Sequence, residues 1–96
     1  MQNLLANVAV NGSSAVLNVA SISRGNYRTC KVSITVGTAT VVLEGRGGPG
    51  DANWITLMTF TGSNIQAAIL PPQVRMTVSA IAGGAVVDAW LDAYAQ

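Results

Sequence analysis

The chain has 96 residues, half of them hydrophobic and only 9% charged, and its net charge is +1. Arg24, Arg28, Lys31, Arg46 and Arg75 are scattered singly, so no basic stretch is present to neutralise a phosphate backbone, and nucleic acid is excluded as a partner. The absence of histidine removes the commonest general base, the usual triads and most zinc sites; the lone cysteine, Cys30, rules out an internal disulfide.

This length makes one domain, residues 1–96, able to bury roughly 60–65% of its unfolded surface. An ordinary soluble domain is about 25% charged. With so few charges, part of the outside must be neutral or apolar, either as a Ser/Thr/Asn/Gln/Gly coat or as surface covered by other molecules. The second reading is preferred, which implies a homo-oligomer or a larger assembly. No apolar run approaches the roughly 20 residues that span a bilayer, so no membrane partner is expected. The first cation is Arg24 and Met1 to Val10 is interrupted by Gln2, Asn3 and Asn7, which is not the pattern of a signal peptide. The expectation is a protein made in the cytoplasm and kept from Met1.

Taken in order, Leu4 to Val10 is a strand, closed by the Asn11-Gly12-Ser13-Ser14 turn; residues 1–10 are a candidate interface strand or arm. Ala15 to Ile22 follows as a strand of uncertain facing, then the turn Ser23-Arg24-Gly25-Asn26. Tyr27 to Val36 alternates cleanly, with Cys30, Val32, Ile34 and Val36 on the buried side and Thr29, Lys31, Ser33 and Thr35 opposite. Cys30 is expected to be a buried, inert thiol. Gly37-Thr38 turns the chain into Ala39 to Glu44, and a glycine-rich loop spans Gly45 to Asn53.

Trp54 to Phe60 reads as a strand with Trp54, Thr56 and Met58 on one side. Thr61-Gly62-Ser63 is a turn, and Asn64 to Leu70 is a short edge segment stopped by Pro71-Pro72. Val74, Met76, Val78 and Ala80 then alternate with Arg75, Thr77 and Ser79. Gly83-Gly84 predicts a type I′ hairpin joining this arm to Ala85 to Tyr94, because both central positions of that turn need positive φ. In that hairpin Arg75 and Asp88 would face each other as an ion pair. Ala85 to Tyr94 also fits an amphipathic helix, with Asp88 and Asp92 on the polar stripe, but the β-branched start and the Gly-Gly turn favour a strand. About eight short strands separated by turn signals predict an all-β protein, an antiparallel β-sandwich of jelly-roll-like arrangement.

Little here supports chemistry. Asp88 and Asp92 on a strand lie about 13 Å apart, too far for a glycosidase pair, which wants about 5–9.5 Å. Glu44 and Asp51 bracket the glycine loop, but two carboxylates make a weak cation site and no metal is expected. Gly45-Arg46-Gly47-Gly48-Pro49-Gly50 matches G-x-G-x-x-G, yet Pro49 and the β-prone Trp54-Ile55-Thr56-Leu57 follow where a dinucleotide fingerprint needs a helix. The expectation is therefore a non-enzyme with no cofactor. Trp54 and Trp90 are open to three readings: core filler, interface anchor or sugar platform.

Two stretches carry a resemblance. One is Val41-Val42-Leu43-Glu44-Gly45-Arg46, a short Gly/Asp/Asn loop, Asn53-Trp54-Ile55-Thr56-Leu57 and Thr59-Phe60-Thr61-Gly62. The other is Pro72-Gln73-Val74-Arg75-Met76-Thr77-Val78 with Gly83-Gly84 and Val87 to Leu91. Over Ala39 to Leu91 the chain resembles small β-sandwich virion proteins of tailed bacteriophages: head decoration (cement) proteins and related tail or collar modules. The resemblance implies assembly rather than catalysis, residence in the virion, and contacts with its own copies and with the major capsid protein or other virion proteins. The interface candidates are Leu4, Leu5, Val8, Arg46, Pro49, Trp54, Trp90 and Tyr94. The alternative is a tail, collar or receptor-binding module that takes carbohydrate on Trp54 or Trp90.

Overall fold

The computed structural model describes residues 2–93, so Tyr94 lies outside the described residues. The strands are β1 (Gln2–Val8), β2 (Gly12–Ser13), β3 (Leu17–Asn18), β4 (Tyr27–Thr35), β5 (Thr38–Arg46), β6 (Ile55–Phe60), β7 (Asn64–Ile69), β8 (Gln73–Ala82) and β9 (Val86–Leu91). One sheet runs β1-β9-β4-β7 and the other β2-β8-β5-β6, with β3 also on the β8 edge. If β2 and β3 are taken as two contacts of one interrupted strand along β8, the pairing is nested. The first strand meets the last, the next meets β8, β4 meets β7, and β5 meets β6. A long antiparallel ribbon folded back at the β5–β6 loop and rolled on itself gives this order, which is a jelly-roll sandwich.

Alternation drives the rolling. Cys30 and Val32 on β4, Ala39, Val41 and Leu43 on β5, Val74, Met76 and Val78 on β8, and Val87, Ala89 and Leu91 on β9 all point into one shared layer. Each fully buried Val, Leu, Met or Phe contributes about 1.5–3 kcal/mol, so this layer dominates the energetics. The Cys30 thiol is fully buried, and that burial pushes its pKa up to about 12. Ala85 to Tyr94 resolves as strand across Val86–Leu91, held by β1 on one side and β4 on the other.

Four expectations need correction. Gly83 and Gly84 do adopt positive φ, 68° and 75°, but β8 and β9 lie in different sheets and do not pair. The turn carries the chain between layers, so Arg75 and Asp88 sit on opposite faces of the molecule. Val36 leaves the buried face of β4: it occupies the inter-sheet turn at φ 75° and is 86% exposed. Ala15 to Ile22 is not one strand; only Leu17–Asn18 pairs, and a 3-10 turn follows at Ser21–Ser23. In β6, a register shift between Leu43 and Glu44 of the partner strand leaves Leu57 as the extra residue. That bulge switches the facing, so Met58 and Phe60 enter the core while Trp54 lies over the outer face.

The Val36-Gly37 and Gly83-Gly84 turns pack against each other at one pole. A Cβ on Gly37 would stand 2.0 Å from the Ala82 carbonyl oxygen, so only glycine fits there. Two opposed mutational outcomes follow. Val36→Gly is expected to raise the melting temperature by a few degrees, since left-handed backbone costs an L-residue roughly 1–2 kcal/mol and an exposed valine gives up no burial. Gly37→Ala is expected to lower it by about 10 °C or more, the scale of a clash worth roughly 2 kcal/mol in a domain this size. Calorimetry on both variants checks the pair, and a neutral Gly37→Ala would disprove the close approach.

Candidate functional site

The densest polar cluster lies on the outer face of the second sheet. Glu44 and Arg75 are register partners on β5 and β8, as are Arg46 and Gln73, so four polar side chains stand side by side. Arg75 Nε donates to Glu44 Oε1 at 3.1 Å, and Thr77 Oγ1 donates to the same oxygen. Arg46 Nε donates to Gln73 Oε1 at 2.7 Å, and Gln73 Nε2 passes the chain on to Asn18 Oδ1. Trp54 covers both cations: the Arg46 and Arg75 guanidinium carbons lie 4.4 and 4.3 Å from its ring centroid. The Arg75–Glu44 pair is partly exposed and contributes on the order of 1 kcal/mol or less. Stacking of each arginine adds a comparable amount, roughly 0.5–2 kcal/mol.

The loop before Trp54 is tied to this cluster. Asp51 accepts from the Gly47 and Asn53 amides at 3.0 and 2.9 Å, and its own carbonyl accepts from Arg46 at 3.3 Å. The Gly47 and Asn53 amides, followed by the Arg46 charge, hold the Asp51 carboxyl below the usual carboxylate range. Glu44 and Asp51, the pair considered for a cation, bond to separate partners. Among the described residues no three His, Cys, Asp or Glu side chains converge. Glu44 Oε1, Gln73 and Asp51 take their partners within the chain, while the Arg75 pair with Glu44 keeps part of each side chain open to solvent.

The outer face of the first sheet differs. Lys31 Nζ lies 5.1 Å from the Trp90 centroid, the two being register partners on β4 and β9. Asp88 accepts from the Asn7 amide at 3.0 Å. Beyond Lys31, β4 and β7 expose Tyr27, Ile65 and Ile69, which are 72%, 61% and 50% accessible. An open depression of about 410 Å³, lined by Lys31, Ser33, Ser63, Asn64 and Ile65 among others, lies where β7 begins.

The interface candidates are thus dispersed. Arg46 and Trp54 come together in the stacked cluster, with Pro49 exposed on the adjoining loop. Trp90 lies on the other sheet beneath Lys31. Leu5 is in the core, and Leu4 and Val8 are half-buried beside it, because residues 2–8 form a strand of the first sheet rather than an arm. Sequence reasoning passed over Tyr27, Ile65 and Ile69. The available signal was the uncharged run Asn64-Ile65-Gln66-Ala67-Ala68-Ile69, apolar on its outward positions as well as its inward one.

Comparison with protein-family models, curated proteins and solved structures returns no match to this chain.

The Asp51 contacts set a pH response. Its folded-state pKa is below the unfolded one, so the loop's added stability is present above the unfolded value and is lost as pH falls through the folded value. The Gly47 and Asn53 amide resonances are expected to shift together in acid, with a midpoint below about 3.9. Asp51→Asn should abolish that step; a midpoint at or above the ordinary value would refute the arrangement.

Proposed function

We propose that this protein is a non-catalytic structural module that works by covering and being covered by other protein, and that its setting is the virion of a tailed bacteriophage, as a head decoration protein on the capsid lattice. The observation that carries the reading is the character of the skin. Val10, Ile22, Tyr27, Val36, Ile55 and Ile65 are each more than 60% exposed on a surface with few charges. Four of the nine charged residues, Glu44, Arg46, Asp51 and Arg75, are engaged in the cluster over the second sheet. Scattered apolar groups supply many weak contacts, which gain strength when many copies sit on one lattice.

Jelly rolls serve capsid and lectin domains alike, so topology alone does not choose between assembly and sugar binding. The tryptophans favour assembly. A sugar platform needs an open ring face. Around Trp54 two arginines stack on the ring, while Trp90 lies under Lys31.

The direct experiment is co-sedimentation of the purified protein with phage heads, alongside a glycan array. Saturable binding to heads, with heads that withstand higher temperature once coated, is the expected result. A protein that stays in the supernatant and binds glycans would replace the proposal with the carbohydrate reading.

A further inference from the structure

The two sheets have four outer edges, and three of them carry devices that discourage pairing. β1 has register shifts between Asn3 and Leu5 and again between Leu5 and Val8. β6 carries the bulge at Leu57. The edge beside β8 is broken into β2 and β3, two residues each. The fourth edge, β7, pairs with β4 through six consecutive positions without a shift, and it contains no proline and no charge. Among the described residues nothing pairs with its outer side. A regular, neutral, apolar edge is a template for another strand.

Hydrogen bonding identifies which groups face outward. The Ile65 amide donates to Asn64 Oδ1 at 2.8 Å rather than to β4. Thr29 turns its carbonyl to the β9 side, where it accepts from the Asp92 amide at 2.8 Å, so the Thr29–Ala67 pair is a non-hydrogen-bonded one. Alternation then makes Ile65, Ala67 and Ile69 the residues whose N–H and C=O point away from the sheet. Their side chains occupy the outer face, opposite Lys31, Thr29 and Tyr27.

That pattern is symmetric about Ala67, and we infer that β7 pairs antiparallel with β7 of a second copy of this chain, with Ala67 on the two-fold axis. In this register Ala67 faces its own mate and Ile65 faces Ile69 of the second copy, so every outward donor meets an outward acceptor, about six bonds in all. The Ile65 amide exchanges Asn64 Oδ1 for a carbonyl of the second copy. On the outer face each flanking row reads Lys31, Ile65, then Ile69 and Tyr27 of the second copy, which covers the exposed aliphatic and aromatic surface found there. The smallest side chain sits where identical residues meet. β7 has no charge to repel its mate, and the two copies of Lys31 are at least three strand spacings apart, about 14 Å, beyond the screening length of about 8–10 Å. A six-residue strand pair falls below the standard interface of about 1,200–2,000 Å², so the dimer is of the weak, micromolar class.

This inference rests on reading the chain as an assembling module, and its test separates the two. Sedimentation velocity across a concentration series, with amide hydrogen exchange read at the same concentrations, is the experiment. The expected result is a concentration-dependent dimer in which exchange at Ile65, Ala67 and Ile69 slows as the protein is concentrated. Ala67→Pro removes an outward N–H while sparing the ladder to β4, and it should weaken dimerisation by about tenfold or more. Ile65→Lys, which replaces the aliphatic contact with Ile69 of the second copy by a charge that has no partner there, should do the same, and both variants should keep the wild-type circular dichroism spectrum. A wild type that stays monomeric, or three amides whose exchange does not respond to concentration, overturns the inference whatever the variants do. A β7-independent monomer that still coats phage heads removes this interface and leaves the proposed function standing; a β7 dimer that ignores heads does the reverse.

Discussion

Everything in this molecule depends on burying one alternate set of side chains between two sheets. Because strand side chains point to opposite faces in turn, a slip of one residue would carry Val74, Met76 and Val78 to water and Arg75 and Thr77 into the core. The connections obey the same constraint. Apart from β5–β6, consecutive strands of the nested ribbon lie in opposite sheets, so turns must cross the thickness of the sandwich in very few residues. Residues without bulk make this feasible where two segments meet. Gly37 admits the Ala82 carbonyl at one pole, and at the buried Gly45 a Cβ would come within 2.4 Å of Pro71 Cγ.

That constraint also explains which features were legible in the residues and which were not. Alternation is local, so β4, β5, β8 and β9 and the all-β jelly-roll class could be read directly from Cys30-to-Ile34, Val41-to-Leu43, Val74-to-Val78 and Val87-to-Leu91. Turn chemistry is local too, and Gly83-Gly84 does adopt the left-handed backbone that such a dipeptide signals. Sheet membership is not local. Whether two arms joined by a tight turn pair edge to edge or stack face to face is decided by their other neighbours, here β5 for β8 and β1 and β4 for β9. The misassigned partner of Arg75 follows from that one error, since the residue opposite it is Glu44 on a strand thirty-one positions away. Trp54 was misplaced for a different reason: a single extra residue at Leu57 reverses the parity of the strand, and no composition rule announces a bulge.

The candidate site was legible only in part, because Arg46 and Trp54 are eight residues apart across a loop whose closure depends on Asp51 gripping the Gly47 and Asn53 amides. With the structure in view the two faces of the sandwich have different characters. The second sheet gathers Glu44, Arg46, Arg75 and the loop carboxylate into a bonded network beside the β5–β6 fold-back. The first sheet has Lys31, Asp88 and Asp92 on its outer side and leaves Tyr27, Ile65 and Ile69 bare towards the β7 edge. Polar groups bonded within the chain stabilise the fold, whereas apolar surface left uncovered is where another molecule gains most by binding.

The distribution of edges limits what can be built from such a module. Two open, complementary edges on one molecule would let copies add head to tail without end and make a fibre. A single self-complementary edge would close after one partner, because a two-fold joining two β7 strands would consume both. The bulges of β1 and β6 and the interruption between β2 and β3 are therefore as informative as the regularity of β7. They leave β7 as the one regular edge among the described residues, so an array built on the proposed pairing would be organised by side chains at the poles and faces rather than by a growing sheet. Val10 and Val36, both exposed, Val36 with strained backbone beneath it, are the side chains in position for that second kind of contact.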